Sequence, residues 1–128
     1  MPNKRSSKKD RVRVAIPLEA DEGLDSVISL HFGMCPYFLI ADVENNKIVK
    51  WTTKKNPGAE LDRRMGLEAA SFLVDESVDV VIAVTLGEGP FWLLSGKSIK
   101  AYRVLDGKAK KIAWYVENYN KLDEIKEV

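Results

Sequence analysis

The segment Val78-Asp79-Val80-Val81-Ile82-Ala83-Val84 decides the fold, because it is the most regular strand pattern in the chain. Four valines and one isoleucine among these seven residues predict a strand, since β-branched apolar residues are enriched in strands. It follows residues 60–76, where Leu61, Met65 and Ala69 begin an apolar stripe at helical spacing. A helix that leads into such a strand favours a parallel crossover and therefore an α/β fold.

Further strand and helix patterns lie on both sides of this unit. On the N-terminal side, an alternating strand pattern is followed by an apolar run, and Asn45-Asn46 then forms a hairpin turn to a partner strand. On the C-terminal side, a glycine turn precedes a short helix, a strand, a turn at Asp106-Gly107 and a final helix. The predicted strands are residues 11–18, 37–43, 47–53, 78–84 and 99–104, and the predicted helices are residues 60–76, 90–96 and 108–123. This order predicts a mixed sheet that is covered by helices on both faces, an α/β sandwich.

Composition and charge restrict the class of protein. At 128 residues with 45% hydrophobic side chains, the chain predicts one domain over residues 11–128. Residues 1–10 are basic and predict a disordered tail, while the remainder is mildly acidic, which argues against nucleic-acid binding. No apolar run approaches the roughly 20 residues of a membrane span, and no signal peptide pattern is present, so we expect a cytoplasmic protein. A single cysteine excludes an internal disulfide.

The turn His31-Phe32-Gly33-Met34-Cys35-Pro36 carries the only histidine and the only cysteine of the sequence. Imidazole and thiolate both suit soft or borderline metals. A structural zinc site usually takes four protein ligands, so a single metal ion here needs carboxylates, a second subunit or solvent. A preassembled metal–sulfur cluster brings its own sulfides and needs only one or two protein ligands. The alternatives are a buried cysteine beside a hydrogen-bonded histidine, or a cysteine nucleophile with His31 as its base.

A second candidate segment is Gly87-Glu88-Gly89-Pro90, which separates the strand at residues 78–84 from a helix start. Backbone amides at such a position can bind an anion, although the segment lacks the lysine and hydroxyl residue of a P-loop. A plain tight turn is the alternative. If the sheet brings this loop beside the His31 turn, a ligand site becomes more favoured, since ligands bind at the carboxyl ends of strands. A basic patch usable by an anionic ligand is formed by Lys54, Lys55, Arg63 and Arg64.

These segments together resemble the dinitrogenase iron–molybdenum cofactor biosynthesis family, which includes NifX, NifY and the C-terminal domain of NifB. The resemblance rests on His31-Phe32-Gly33, residues 36–44, Asn56-Pro57, residues 78–82 and the glycine turn at residues 87–89. It extends over roughly residues 11 to 105. Two positions depart from the family pattern: Met34 stands where arginine is common, and Thr85-Leu86 stand near family glycines.

The resemblance implies a ribonuclease H-like three-layer α/β/α sandwich with a mixed five-stranded sheet. It also implies a carrier or assembly scaffold for iron–molybdenum cofactor or another molybdenum or iron–sulfur cluster, without established catalysis. Carried over to this chain, the cofactor-binding positions are His31, Phe32, Gly33, Cys35, Gly87 and Gly89, and the metal ligands are His31 and Cys35.

Two further expectations complete this interpretation. Nuclease activity is not expected, because the first strand carries none of the carboxylates that metal-dependent phosphoryl chemistry needs. The expected partners are the cluster and a protein that donates or accepts it, with the chain as a monomer or homodimer. The alternative function is a protein-interaction or regulatory module that has kept the fold without a cluster, and the apolar Met34 favours it.

Overall fold

The computed structural model describes residues 11–105 and 110–127, and its described part is organised around one mixed sheet of six strands. The strands are β1 Arg11–Leu18, β2 Tyr37–Glu44, β3 Lys47–Lys55, β4 Val80–Ala83, β5 Lys100–Arg103 and β6 Asp123–Ile125. Their order across the sheet is β3-β2-β1-β4-β5-β6. The predicted disordered tail at residues 1–10 and the predicted turn at Asp106-Gly107 lie outside the described residues.

Residues 60–84 form the predicted helix and parallel strand, but β4 pairs with β1 and not with β3, the strand that precedes the helix. β4 pairs in parallel with β1, through Val14 opposite Val80, and β5 pairs in parallel with β4. β2 and β3 add an antiparallel hairpin on the other side of β1. Its turn residues Asn45 and Asn46 have φ values of 51° and 64°, which is the left-handed geometry that a two-residue hairpin needs and that asparagine tolerates.

Three helices cover the sheet on its two faces: α1 Met65–Asp75, α2 Glu88–Gly96 and α3 Ile112–Glu117. α1 and α2 pack on one face, where Leu73 and Leu94 join Phe38 and Val81 in a buried core. α3 packs on the opposite face over a second core of strand residues. A mixed sheet between two helical layers confirms the predicted α/β sandwich, while the ribonuclease H-like classification remains a prediction.

The C-terminal part of the chain differs from both expectations made for it. The sheet has six strands and not five, because Asp123–Ile125 forms β6 and pairs antiparallel with β5. The final helix occupies only Ile112–Glu117 of the predicted 108–123, and a 3-10 turn at Tyr119–Lys121 follows it. Tyr119 and Leu122 still pack against the core from this turn, so their apolar spacing imitated a longer helix.

The helix predicted over residues 60–76 is also shorter than expected. A 3-10 turn at Pro57–Glu60 precedes it, and Arg64 has a left-handed φ of 63° immediately before Met65. A left-handed residue cannot continue a right-handed helix, so α1 begins only at Met65. Gly66 therefore lies in the first turn of α1 and not at its middle.

No helix in residues 11–105 and 110–127 is long and apolar enough to cross a membrane.

Candidate functional site

A cleft of about 450 Å³ opens where three segments of the chain meet. The first is the turn that begins at His31, the second is the start of α1, and the third is the connection from β4 into α2. The lining residues are His31, Phe32, Gly33, Met34, Arg64, Met65, Gly66, Leu67, Thr85, Gly87, Gly89 and Pro90. The cleft lies beyond the carboxyl ends of the parallel strands β1 and β4, which is where α/β sheets bind ligands.

This arrangement confirms that the sheet brings the glycine loop beside the His31 turn. β1 and β4 are parallel neighbours, and β2 runs antiparallel to β1, so the loop after β4 and the turn before β2 share one edge of the sheet. Thr85 adds a direct link between them, because its hydroxyl donates a 2.6 Å hydrogen bond to the carbonyl of Leu30.

Two glycines allow the three segments to pack closely, because a side chain at either position would collide with the neighbouring segment. A Cβ on Gly33 would lie 2.8 Å from the backbone nitrogen of Gly66, and a Cβ on Gly66 would lie 2.8 Å from Cγ of Pro90. Gly87 is different, since a Cβ there would meet its nearest neighbour, Pro90, only at 3.7 Å. Gly33 and Gly66 therefore shape the cleft, whereas Gly87 lines it without a comparable steric requirement.

The backbone of His31 is fixed, and this exposed residue lines the cleft. The amide of His31 donates to Oγ of the buried Ser29 at 3.2 Å, and the next residue, Phe32, packs edge-on against Phe38 with ring centroids 5.4 Å apart. His31 is exposed, and its imidazole makes no hydrogen bond to any other residue within the described ranges. The imidazole is thus free to act as a ligand or a donor.

Cys35 is brought into a different environment from His31. It is 1% exposed and does not line the cleft. Its thiol donates to the carbonyl of Phe32 at 3.4 Å and accepts from Nδ2 of Asn56 at 3.6 Å. Burial raises the pKa of the Cys35 thiol from 9.0 to about 12. Because metals bind the thiolate, this environment matches the alternative of a cysteine packed as a small hydrophobe.

Asn56 is a residue of the site region whose role the sequence did not reveal. Its Nδ2 donates to the carbonyls of Gly33 at 3.0 Å and Cys35 at 2.9 Å, and its Oδ1 accepts from the amide of Gly58 at 2.9 Å. The Asn56 side chain is buried and thus ties the His31 turn to the segment that leads into α1. The only signal in the sequence is the Asn-Pro pair, which also occurs in many ordinary turns.

The lining residues of the cleft carry one formal positive charge, and the exposed Glu88, between the lining residues Gly87 and Gly89, adds a neighbouring carboxylate. Arg64 is the only Lys, Arg, Asp or Glu among its described lining residues. The first turns of α1 and α2 also face the cleft, and amides in a first helical turn have no partner within the helix and carry partial positive charge. Of the predicted basic patch, Lys54 is instead paired with Glu76 at 2.8 Å.

The donor groups fit a ligand that arrives with most of its coordination complete. Across the residues that the structure describes, no group of three or more His, Cys, Asp or Glu side chains is close enough to hold a metal ion. One accessible imidazole, one guanidinium and two helix starts form a cradle for an anionic group.

Comparisons with known proteins identify one family and several similar proteins. A family model described as dinitrogenase iron–molybdenum cofactor matches residues 12–121. An uncharacterized protein from Methanocaldococcus jannaschii is 23% identical over 92 residues, covering 72% of this chain and 74% of that protein.

Two solved structures are similar throughout most of the chain. The apo form of the orange protein from Desulfovibrio gigas is 22% identical with a TM-score of 0.72, covering 85% of this chain and 87% of that one. A candidate NifB protein from Thermotoga, assigned to the DUF35 family, is 27% identical with a TM-score of 0.71, covering 91% of this chain and 96% of that one.

Proposed function

The chain belongs to the dinitrogenase iron–molybdenum cofactor family, and from that premise we propose that it binds a preassembled metal–sulfur cluster as a carrier or assembly scaffold. The cargo would be iron–molybdenum cofactor or another molybdenum or iron–sulfur cluster. The observation that carries the proposal is the cleft that joins the His31 turn to the starts of α1 and α2.

In this proposal, the imidazole of His31 is the protein ligand to the cluster. One protein ligand is sufficient because the sulfides of a preassembled cluster fill the remaining coordination positions. The amides of the first turns of α1 and α2 stabilise the negative charge of the cluster. Phe32 and Gly33 hold the ligand turn in place, and Gly87 and Gly89 leave room for the cargo.

Cys35 has a supporting role in this proposal. Burial and the pKa of about 12 support a packing role for the Cys35 thiol, so the proposal assigns His31 and not Cys35 as the ligand. A carrier must also release its cargo, and a single imidazole ligand gives up a metal more readily than an imidazole and a thiolate together would. The expected partner is a protein that donates or accepts the cluster in the cytoplasm, and no step of catalysis is assigned to the chain.

The test is titration of the purified full chain with isolated iron–molybdenum cofactor under anaerobic conditions. We expect altered visible spectra and a higher thermal midpoint, because a ligand that binds only the native state stabilises it by about 2.7 kcal/mol at 100 times its Kd. His31→Ala should weaken retention of the cluster more than Cys35→Ala does. Equal affinity for the wild type and both variants would refute the assignment of His31.

The second candidate function is an interaction or regulatory module that binds no cluster. The exposed Met34 in the cleft lining favours it, since an uncharged side chain here gives no electrostatic attraction to an anionic cluster. Unchanged spectra and an unchanged thermal midpoint would support this second function. Metal analysis of the protein purified anaerobically from its native source provides an independent check.

A further inference from the structure

We propose that Arg64 is the residue that selects an anionic cargo, because it supplies the cleft with its fixed positive charge. The proposal rests on the proposed function and adds a statement about the class of ligand. The cleft should bind a compact anion that carries its own metal, such as a thiometalate, and should not bind a free divalent cation.

The first argument is the composition of the lining. Carboxylates are missing from the described part of it, so a bare metal cation meets no compensating negative charge there. Arg64 adds a full positive charge. A divalent cation is therefore repelled by the same groups that attract an anion.

The second argument is that Arg64 is not used by the fold. Arg11, Arg13 and Lys54 each form an ion pair with a carboxylate. Arg64 has no such partner within residues 11–105 and 110–127, and this exposed residue is among those that line the cleft. An unpaired arginine has all its N–H donors available for an anion, and it binds in a fixed fork geometry.

The third argument is the position of Arg64 at the junction of two segments. It directly precedes α1, and its carbonyl accepts from the amide of Glu68 at 3.0 Å, which fixes its backbone at the helix start. The neighbouring Arg63 is also exposed but does not line the cleft. The two arginines carry the same charge at adjacent positions, so Arg63 provides a matched control.

The experiment is a titration with tetrathiomolybdate, followed through its visible absorption, on the full-length wild type and on Arg64→Ala, Arg64→Lys and Arg63→Ala. Loss of a charge-assisted hydrogen bond predicts that Arg64→Ala weakens binding at least tenfold, with Arg64→Lys between it and the wild type. Arg63→Ala should bind within about twofold of the wild type. Raising the salt concentration from about 50 to about 300 mM should weaken the wild type more than Arg64→Ala.

A variant that moves the positive charge to another position in the cleft separates the effect of the charge on binding from an effect of the substitution on the structure. Met34 lines the same cleft, so Met34→Arg in the Arg64→Ala background should restore most of the lost affinity. Arg64→Gly removes the side chain but suits a φ of 63°, and it should therefore fold normally while still binding weakly. Zinc or ferrous ion alone should give no binding to the wild type.

The outcomes distinguish this inference from the proposed function. If the wild type binds tetrathiomolybdate and Arg64→Ala binds it equally well, the role of Arg64 is wrong and the carrier function stands. A loss in Arg64→Ala that Met34→Arg does not restore overturns the charge argument. Tight binding of zinc alone overturns the inferred class of ligand. If the wild type binds neither tetrathiomolybdate nor isolated cofactor, both proposals fail.

Discussion

The packing that buries Cys35 also fixes the turn from which His31 reaches the cleft. Asn56 donates to the carbonyls of Gly33 and Cys35, so the turn is held from beneath by one side chain. The thiol fills the space under the turn while the imidazole remains accessible above it. Two ligand-type side chains four positions apart thus have separate functions, one in packing and one in the cleft.

The buried thiol predicts a specific pH dependence of stability. The pKa of Cys35 is about 12 in the folded protein and 9.0 when the thiol is in its ordinary environment. Above pH 9 the unfolded chain releases the proton and the folded chain retains it, so the free energy of unfolding falls as the pH rises towards 12. Between about pH 8 and pH 10.5, we expect the wild type to lose about 2 kcal/mol more than Cys35→Ala.

Urea denaturation of the two proteins at both pH values measures this difference. The two chains differ only at position 35, so the comparison isolates the thiol. Parallel pH profiles for the wild type and Cys35→Ala would show that the thiol is accessible to solvent.

Asn56 gives the second prediction at the residue scale. Asn56→Ala removes the partners of two carbonyls and one amide, and we expect it to lower the free energy of unfolding by about 3 kcal/mol. Asn120, which is exposed, provides the control, because Asn120→Ala should change stability by less than about 0.5 kcal/mol. Urea denaturation measures both, and a loss below about 1 kcal/mol for Asn56→Ala would mean that water replaces the lost bonds.

The sequence identifies the candidate site only as far as local chemistry allows. His31 stands out because it is the only histidine of the sequence. Gly33 stands out because glycine permits the tight backbone turn that follows His31. The burial of Cys35 depends on Asn56, which is 21 positions away, and no local pattern indicates that contact. The sequence identifies Arg64 only as one of four cations in a basic patch. Its position in the cleft depends on the residue at which α1 begins, which the sequence does not indicate.

At the scale of elements, the contact between α1 and α2 explains Gly66. Glycine costs about 1 kcal/mol relative to alanine in a helix interior, which is an upper bound for Gly66 in the first turn, but a Cβ at Gly66 would lie 2.8 Å from the ring of Pro90. Overpacking of this kind costs roughly 1 to 3 kcal/mol. The steric term is the larger one, so we expect Gly66→Ala to lower the free energy of unfolding by about 1 kcal/mol.

Gly96 provides the matched comparison, because it ends α2 and a Cβ there would meet nothing within 4 Å. Gly96→Ala should therefore raise stability by about 0.5 kcal/mol through the lower entropy of the unfolded chain. Thermal and urea denaturation of both variants test the contrast in sign. Two variants that shift stability in the same direction would indicate that α2 moves freely away from α1.

The helix boundaries show where periodicity is insufficient. Leu61 and Met65 have the spacing of one helix, yet the left-handed Arg64 separates them. Tyr119 and Leu122 have the spacing of the last helix, yet they belong to a 3-10 turn and its end. Apolar spacing reports which residues face the core, and several backbone paths can satisfy the same spacing.

At the scale of the whole molecule, the sheet ends in two different edge strands. β3 is long, and its lysines discourage pairing with another chain. β6 has only three residues, which limits the edge that it presents. The sequence predicted the central strands, whose apolar runs are long, but not β6, because three residues between charged neighbours contain too little periodicity.

The short strand β6 nevertheless contributes to the core beneath α1 and α2. Ile125 is 6% exposed and lies opposite Ala101 of β5, within the same buried cluster as Leu94. Ile125→Ala should therefore lower the free energy of unfolding by about 2 kcal/mol, the lower end of the range for buried isoleucine, since the site is at the edge of the sheet. The adjacent Lys126 is exposed, and Lys126→Ala should change stability by less than about 0.5 kcal/mol. Urea denaturation of the two variants tests whether β6 is part of the cooperative fold. Equal stability of the two variants would mean that β6 contributes nothing to the free energy of unfolding.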